Sequence, residues 1–325
     1  MKARRILAKL SLTVYYSPII IITLITPIVM RDTYILHILI LFMYYGLLAE
    51  AWNILGGYGQ ISFGHQMFFG IGSYTSTMLF MYWGLSPWIG CMVGAGLAVV
   101  ASAFIGQVCF RRNLTGIFFV FFTVSGSEVL RVLLLNPPLE TWTRGALGIT
   151  VPMIGDSPFY YQFSTKPPYY YIIFAILFTT LIVTYLLKKS RLGIKLDAVR
   201  EDEIAAASLG VDATTCKIKA FMISAFFTSL AGTFYAQYIF YIDPYTTMGL
   251  EVGLIGILAS IIGGLGTIFG PIVGSIVLTA VSEASRVFFG QHFGGIHLVI
   301  YGIIITIVML KLPSGIVKKI SERKK

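Results

Sequence analysis

Charged residues are scarce in this sequence. Asp, Glu, Lys and Arg together make up 12% of its 325 residues, whereas hydrophobic residues make up 57%, and the mean hydropathy is +0.83. Soluble domains carry about 25% charged residues, because charge covers their water-exposed surface. The scarcity excludes a soluble globule, and we predict an all-α polytopic membrane protein built as a helical bundle.

Cysteine and histidine are also rare, with three and four residues. Cys91, Cys109 and Cys216 form an odd set that indicates no disulfide framework. His65 has no second His or Cys at ligand spacing, so we expect no metal site. Catalytic triads, nucleotide fingerprints and the P-loop motif G-x-x-x-x-G-K-S/T are all absent from the sequence. We therefore expect neither an enzyme nor a cofactor bound by this chain, and ATP-driven transport would need an ATPase on a separate polypeptide.

Acidic residues are outnumbered by basic ones, 14 against 24, which gives a net charge of +10. Nineteen of the Lys and Arg residues fall in four clusters between apolar runs, at residues 2–9, 111–112, 188–219 and 311–325. This distribution follows the positive-inside rule and is unlike a nucleic-acid-binding patch. We predict that all four clusters, and with them both chain termini, lie on the cytoplasmic side.

The apolar runs predict ten transmembrane helices, an even number that keeps the four basic clusters on one side. The predicted spans are residues 17–30, 35–55, 61–83, 88–110, 114–135, 169–187, 220–240, 251–265, 269–289 and 296–310. The first predicted span resembles a signal sequence. No small-x-small cleavage site precedes Arg31, so we expect this span to stay uncleaved. Residues 136–168 form a proline-rich external loop.

The most polar part of the chain is residues 188–219, with seven basic and five acidic residues. So much charge cannot lie in hydrocarbon, and the stretch must lie in water between two spans. Its pattern predicts two short helices. One starts near Asp197 and stops at Gly210, and Asp212 caps the other. Such a helix, held between two spans, could be gripped by a soluble partner, although a plain solvated loop would have the same composition.

Glycines cluster at residues 56–66 and 263–271 in the shared form G-G-x-G-x-I. Glycine-interrupted helices line polar cavities in many transporters, but glycines four residues apart also mark tight helix packing. The polar residues beside the first cluster can either line a translocation path or hydrogen-bond within the bundle. These candidates are Glu50, Asn53, Gln60, Ser62 and His65.

Two Ser-Glu-x-x-Arg sequences lie inside predicted spans. They contain Glu128 with Arg131 and Glu283 with Arg286. Because residues three apart share a helix face, each Glu can neutralise its own Arg. We expect two intramembrane ion pairs, which either only satisfy each other or form a gate for the ammonium and carboxylate groups of a zwitterion.

Three blocks of the sequence resemble a known family. They are NILGGYGQISFGHQMFFGIGSYT (53–75), REDEIAAASLGVDATTCKIKAFMISAFFTSLAGTFYA (200–236) and GGLGTIFGPIVGS (263–275). In this order they are similar to the LivM-type permease subunit of branched-chain amino acid ABC importers. The resemblance runs from the second to the ninth span and implies a type II importer permease fold, with one transmembrane domain over residues 1–325.

The resemblance further implies that residues 188–219 are the coupling loop that enters a groove on an ATPase subunit. The family form of this loop is Glu-Ala-Ala followed three residues later by Gly. Here Ile204 stands at the Glu position, and Glu203 falls one residue early. The residues that the resemblance implicates in ATPase coupling are Arg200, Glu203, Ala205, Ala206 and Gly210.

By the same resemblance, the chain would carry Leu, Ile and Val into a prokaryotic cell across its inner membrane. It would act with a second permease subunit, two cytoplasmic ATPase subunits that bind ATP and Mg, and an external substrate-binding protein. Importers of urea and short amides have very similar permeases, so the solute stays open. The hydropathy pattern fits a second function equally well. The chain could be an autonomous secondary transporter in which Glu50 or the ion pairs couple transport to protons or sodium.

Overall fold

The computed structural model describes residues 32–289 and scattered positions within 26–29 and 299–319. Within 32–289 the elements follow in this order: α1 (Thr33–Gly56), α2 (His65–Trp83), α3 (Pro87–Arg111), α4 (Ile117–Leu135), α5 (Glu140–Thr143), β1 (Ile149–Thr150), α6 (Lys166–Lys189), α7 (Arg191–Glu201), α8 (Glu203–Ser208), α9 (Ala213–Ile239), β2 (Tyr241–Ile242), α10 (Pro244–Met248), α11 (Leu250–Gly263) and α12 (Gly270–Phe289). The protein is an all-α membrane bundle, and its described residues include a short β-ribbon of β1 and β2.

Seven described helical segments are long and apolar enough to cross a membrane: α1, α3, α4, α6, α9, the α10–α11 pair and α12. The span that we predict at residues 61–83 is not among them. Its helix, α2, begins only at His65, and its buried face carries polar side chains such as Ser73, Ser76 and Thr77. It packs against α3 and α9. The predicted spans at 17–30 and 296–310 lie largely outside the described residues.

Helix α9 forms the centre of the bundle and packs against α1, α2 and α3, while α1 also contacts α6, α11 and α12. Small residues bring α2 and α9 into backbone contact. A Cβ atom on Gly72 would lie 2.1 Å from the carbonyl oxygen of Ser229, and one on Gly232 would lie 2.0 Å from that of Phe69. In a membrane, the hydrophobic effect does not drive helices together, because lipid tails are as apolar as the side chains. Close backbone approach instead stabilises the contact through van der Waals packing. The largest fully buried side chains include Trp52, Phe68, Phe221 and Phe234.

The two ends of the bundle differ in structure. At one end, the segment between α4 and α6 contains α5 and β1, and β1 pairs with β2 in antiparallel register, Ile149 opposite Ile242. Helix α6 has 24 residues, which span about 36 Å at 1.5 Å per residue, and it leads from this ribbon end to α7 and α8. We call the end that holds α7 and α8 the coupling end. The predicted external loop and the predicted coupling loop therefore lie at opposite ends.

Candidate coupling site

The stretch at residues 188–219 forms two short helices before α9, so the prediction of a single helix from Asp197 to Gly210 is wrong. Helix α7 begins earlier because the Ser190 hydroxyl caps it, accepting a hydrogen bond from the Gly193 amide at 3.2 Å. Asp197 lies inside α7. A separate helix, α8, carries the alanines, and its cap is Asp202, which accepts from the amides of residues 204 and 205 at 2.9 and 3.0 Å.

The predicted end of α8 and the predicted cap of α9 are confirmed. Gly210 follows α8 with φ of +80°, a conformation that favours glycine. Asp212 caps α9 and accepts from the Thr215 amide at 3.0 Å and from its hydroxyl at 2.5 Å. These hydrogen bonds stabilise the carboxylate and hold the pKa of Asp212 below its usual range. Both turns around the alanine helix are therefore fixed by local chemistry.

Helix α8 presents an apolar surface to its surroundings. Ile204 is 81% exposed and Leu209 is 85% exposed, and Ala205 is also exposed. Ala206 points the other way and is buried, so only one of the two alanines implicated in ATPase coupling is free to meet a partner. Large apolar side chains that stand this far out of a charged segment are typical of an interaction surface.

An ion pair fixes α8 to the bundle. The ammonium group of Lys217, in the first turns of α9, lies 2.7 Å from the Glu203 carboxylate, and it stands 5.8 Å from the centre of the Phe110 ring. The Lys217 side chain is only 3% exposed, whereas that of Glu203 is 42% exposed. Glu203 is thus an anchor for α8 within this chain, whatever further contact it makes.

The two glycine clusters meet at the coupling end. We call residues 57–60 the first glycine turn and residues 264–269 the second glycine turn. The side chain of Asn53, which is 2% exposed, donates from Nδ2 to the carbonyl oxygen of Thr267 and accepts at Oδ1 from the amide of Gly266, both at 2.9 Å. A Cβ on Gly57 would lie 3.0 Å from the Gly266 Cα. The turns therefore touch through their backbones.

Two cations tie the glycine turns to the segment around α7. Lys188, three residues before α7, donates to the carbonyl oxygen of Gly266. Arg200, in the last turn of α7, donates to the carbonyl oxygen of Gly57 at 3.2 Å and pairs with Glu201 at 2.9 Å. The last turn of α6, which leads into α7, is thus bound to the second glycine turn, and the last turn of α7 is bound to the first.

Glu50 is fully buried in α1, beside this cluster. Its carboxylate faces the side chains of Thr184 and Asn53 and the charge of Lys188, although neither oxygen has a hydrogen bond of good geometry within the described residues. Lys188 is the basic group beside Glu50 and lies on the neighbouring helix α6. This partner lies far along the chain, which is why Glu50 looks isolated in the sequence.

Ser62 and His65 join a buried hydrogen-bond network and do not face an open channel. The His65 ring lies 3.2 Å from the Ser62 hydroxyl and 2.7 Å from that of Ser224. Ser224 in turn donates to the carbonyl oxygen of Ala51 at 2.7 Å. These contacts link α1, α2 and α9. Gln60, in the first glycine turn, is partly exposed.

A small cavity of about 10 Å³ lies between α1, α2, α9 and α11, with Trp52, His65 and Thr228 in its wall. That is room for about one water molecule, far less than an amino acid needs. Gln66 also lines it, and neither polar atom of its buried side chain has a hydrogen-bond partner within the described residues. Of the predicted path residues, Glu50, Asn53, Ser62 and His65 are buried in this conformation and Gln60 is partly exposed, and their role in translocation stays a prediction.

Both predicted ion pairs are present. Arg131 lies 2.5 Å from Glu128 on α4, and its guanidinium group sits over the ring of Tyr245 at 5.4 Å. Arg286 lies 2.6 Å from Glu283 on α12. All four side chains are partly exposed at the surface of the bundle, with exposed fractions between 13% and 53%. The pairing is confirmed, and a gating role is not tested by this geometry.

Several residues of the site carry no signal in the sequence. In the sequence, Lys188 is one of several basic residues in a charged stretch. Ser224 and Thr267 are isolated polar residues in apolar segments, and no local motif marks them. Their roles depend on partners more than 70 residues away. Among the residues that the structure describes, no three His, Cys, Asp or Glu side chains group as metal ligands.

Comparison with known proteins agrees with this architecture. The model of the branched-chain amino acid transport system / permease component family matches residues 34–310. The permease LivM of the high-affinity branched-chain amino acid transport system is 28% identical over 295 residues in both Salmonella typhimurium LT2 and Escherichia coli K12, covering 84% of this chain and 68% of the relative. LivH of Salmonella typhimurium LT2 is 26% identical over 293 residues, covering 84% and 90%.

No solved structure matches the chain significantly. The family match nevertheless covers most of the chain and includes α1, both glycine turns and the coupling helices α7 and α8. The protein thus belongs to the permease component family of branched-chain amino acid transport systems.

Proposed function

We propose that this chain is the transmembrane permease subunit of an ABC importer and carries Leu, Ile and Val into the cell. The observation that carries the proposal is the arrangement of α7 and α8, which combine an exposed apolar surface with contacts to the bundle. Ile204 on α8 and Leu209 just after it are exposed to a partner, and α7 and α8 are bound to the bundle through Arg200 and Lys217. Such a segment can receive force from another protein and pass it to the spans.

The partners follow from this role. Two ATPase subunits, which bind ATP and Mg, dock at the coupling end, which then faces the cytoplasm together with both chain termini. A second permease subunit completes the pathway, and an external binding protein delivers the solute at the ribbon end. Gly315, near the carboxyl terminus, packs on Gly264 of the second glycine turn, which supports a cytoplasmic position for that end of the chain.

The mechanism is alternating access. When ATP closes the ATPase pair, α8 is drawn inward, and rigid spans rock around the pathway. Packed residues such as Asn53, Ser62 and His65 then belong to the closed conformation. The catalytic step, ATP hydrolysis, takes place on the partner subunits, and this chain contributes positioning and coupling.

Co-purification and reconstitution test the proposal. Full-length chain isolated from native membranes should bring ATPase subunits with it, and vesicles that hold the complete complex should take up a branched-chain amino acid only with ATP and the binding protein. Uptake of urea or a short amide instead would keep the importer and change the solute. Uphill transport by this chain alone, driven by a proton or sodium gradient through the buried Glu50, would overturn the proposal.

A further inference from the structure

We propose that Asn53, Lys188 and Arg200 form a latch that makes the two glycine turns move together with α7. The three are positioning residues of the transport cycle. This inference rests on the proposed function, because it takes α7 and α8 to be the segment that the ATPase moves. What it adds is the route by which that movement reaches the membrane helices.

The first part of the latch is Asn53. Its buried amide uses both hydrogen-bonding ends on the backbone of the second glycine turn, at Gly266 and Thr267. Asn53 itself belongs to α1, only four residues before Gly57 of the first turn. The amide therefore holds the end of α1 and the start of α12 in one register. A buried amide that loses both partners leaves its donor and its acceptor unpaired away from water, so the turns resist separation.

The second part is a pair of cations, one in the last turn of α6 and one in the last turn of α7. Lys188 binds the second turn at Gly266, and Arg200 binds the first turn at Gly57. With 11 residues, α7 is about 16 Å long. Because only Ser190 separates α6 from α7, the start of α7 is held through Lys188 on α6 and its end through its own Arg200. A tilt or slide of α7 therefore pulls on both turns. Hydrogen bonds from cations are about twice as strong as neutral ones, which suits contacts that must transmit force.

Glycine makes the latch possible. Gly59 and Gly266 have φ of +85° and +75°, and a Cβ on Gly59 would lie 3.3 Å from the Cγ of Arg200. Side chains at these positions would strain the turns and crowd the cation. The fully buried Glu50 on α1 lies next to Lys188, so the second glycine turn and the end of α6 also meet at a polar site on α1.

The test uses the complete reconstituted complex and measures uptake per ATP hydrolysed. In Lys188→Met and Arg200→Met, the ATPases should still bind and hydrolyse ATP, while uptake per ATP falls by about tenfold, the effect of losing a charge-assisted hydrogen bond of about 1.4 kcal/mol. Lys188→Arg should restore most of the coupling. Lys189→Met is the matched control, since Lys189 is exposed and interacts with Tyr185, one turn earlier on α6, and not with a glycine turn; it should behave like the wild type.

The outcomes separate the latch from the proposed function. If the wild-type complex shows no ATP-driven uptake, the proposed function fails. If the wild type pumps and the Met variants lose ATP hydrolysis and uptake in equal proportion, or keep full coupling, the latch is wrong.

A distance measurement keeps the latch falsifiable even if these variants assemble poorly. Spin labels on Ala198→Cys and Leu265→Cys, both exposed, report the separation of α7 and the second turn in an otherwise wild-type complex. The latch requires one unchanged separation with and without ATP. A separation that changes with nucleotide would overturn it.

Discussion

Lys217 and Glu203 form an ion pair of 2.7 Å in which one partner is buried and the other is half in water. The Lys217 ammonium depends on Glu203, whereas the Glu203 carboxylate can be solvated without Lys217. The pair binds α8 to α9 and so holds the apolar surface of α8 in position.

This asymmetry predicts unequal effects of two substitutions. Glu203→Gln leaves a buried ammonium group without its counter-charge and should destabilise the protein by about 1–3 kcal/mol. Lys217→Met replaces the ammonium with an apolar side chain and leaves an exposed carboxylate, so its cost should stay below about 1 kcal/mol. Thermal unfolding of the purified protein in detergent measures both. Equal losses would mean that Glu203 is held by something other than Lys217.

The exposed apolar surface of α8 predicts a binding defect without a folding defect. Replacing Leu209, which is 85% exposed, with Ser removes apolar area that only a partner can bury. Leu209→Ser should therefore reduce the amount of ATPase that co-purifies with the chain, and its melting temperature in detergent should not change.

Leu147 provides the matched control for that experiment. It is 83% exposed but lies next to β1 at the ribbon end. Leu147→Ser should leave ATPase binding unchanged. If both variants bind ATPase like the wild type, the α8 surface is not the docking site. If both lose it, the effect is not specific to the coupling end.

Substitution of Gly210 should act only through the backbone conformation of the turn after α8. A Cβ at this position meets nothing within 4 Å, but φ is +80°, which costs a non-glycine residue about 1–2 kcal/mol. Gly210→Val should shift the turn after α8 and lower transport in whole cells, while the amount of protein in the membrane stays normal. Gly210→Asn should be milder, because Asn tolerates this conformation.

Gly96 on α3 is a useful comparison for Gly210. It also has open space around its Cβ position, but its φ is helical. Gly96→Ala should be neutral or slightly stabilising, by about 0.5–1 kcal/mol. Normal uptake by Gly210→Val cells would contradict the view that the geometry of this turn matters for coupling.

Much of the bundle could be predicted from the sequence because the bilayer imposes simple rules on length and polarity. The segments α1, α3, α4, α6, α9, α11 and α12 lie close to predicted spans. The exception is informative. Helix α2 contains Ser73, Ser76 and Thr77 on a face buried by α3 and α9, so its apolar character falls below that of a helix in contact with lipid.

The site was less accessible to sequence reasoning. Local motifs gave the glycine turns, the Asp212 cap and both Glu–Arg pairs, because their partners lie within a few residues. The network around Asn53 joins positions 213 residues apart, and no local pattern encodes such a pairing. The same limit explains why Ser62 and His65 could be read either as path-lining or as structural residues.

Ser224 separates these two readings of His65. Its hydroxyl lies 2.7 Å from the His65 ring and donates to the Ala51 carbonyl oxygen at 2.7 Å. Ser224→Ala leaves buried groups unpaired and should destabilise the protein by about 1–3 kcal/mol. Because the network is packed and closed to solute, the KM of the reconstituted complex for its amino acid should not change. Thr179→Ala, at an exposed hydroxyl on α6, should affect neither quantity. A Ser224→Ala variant with normal stability and an altered KM would instead return His65 to the translocation path.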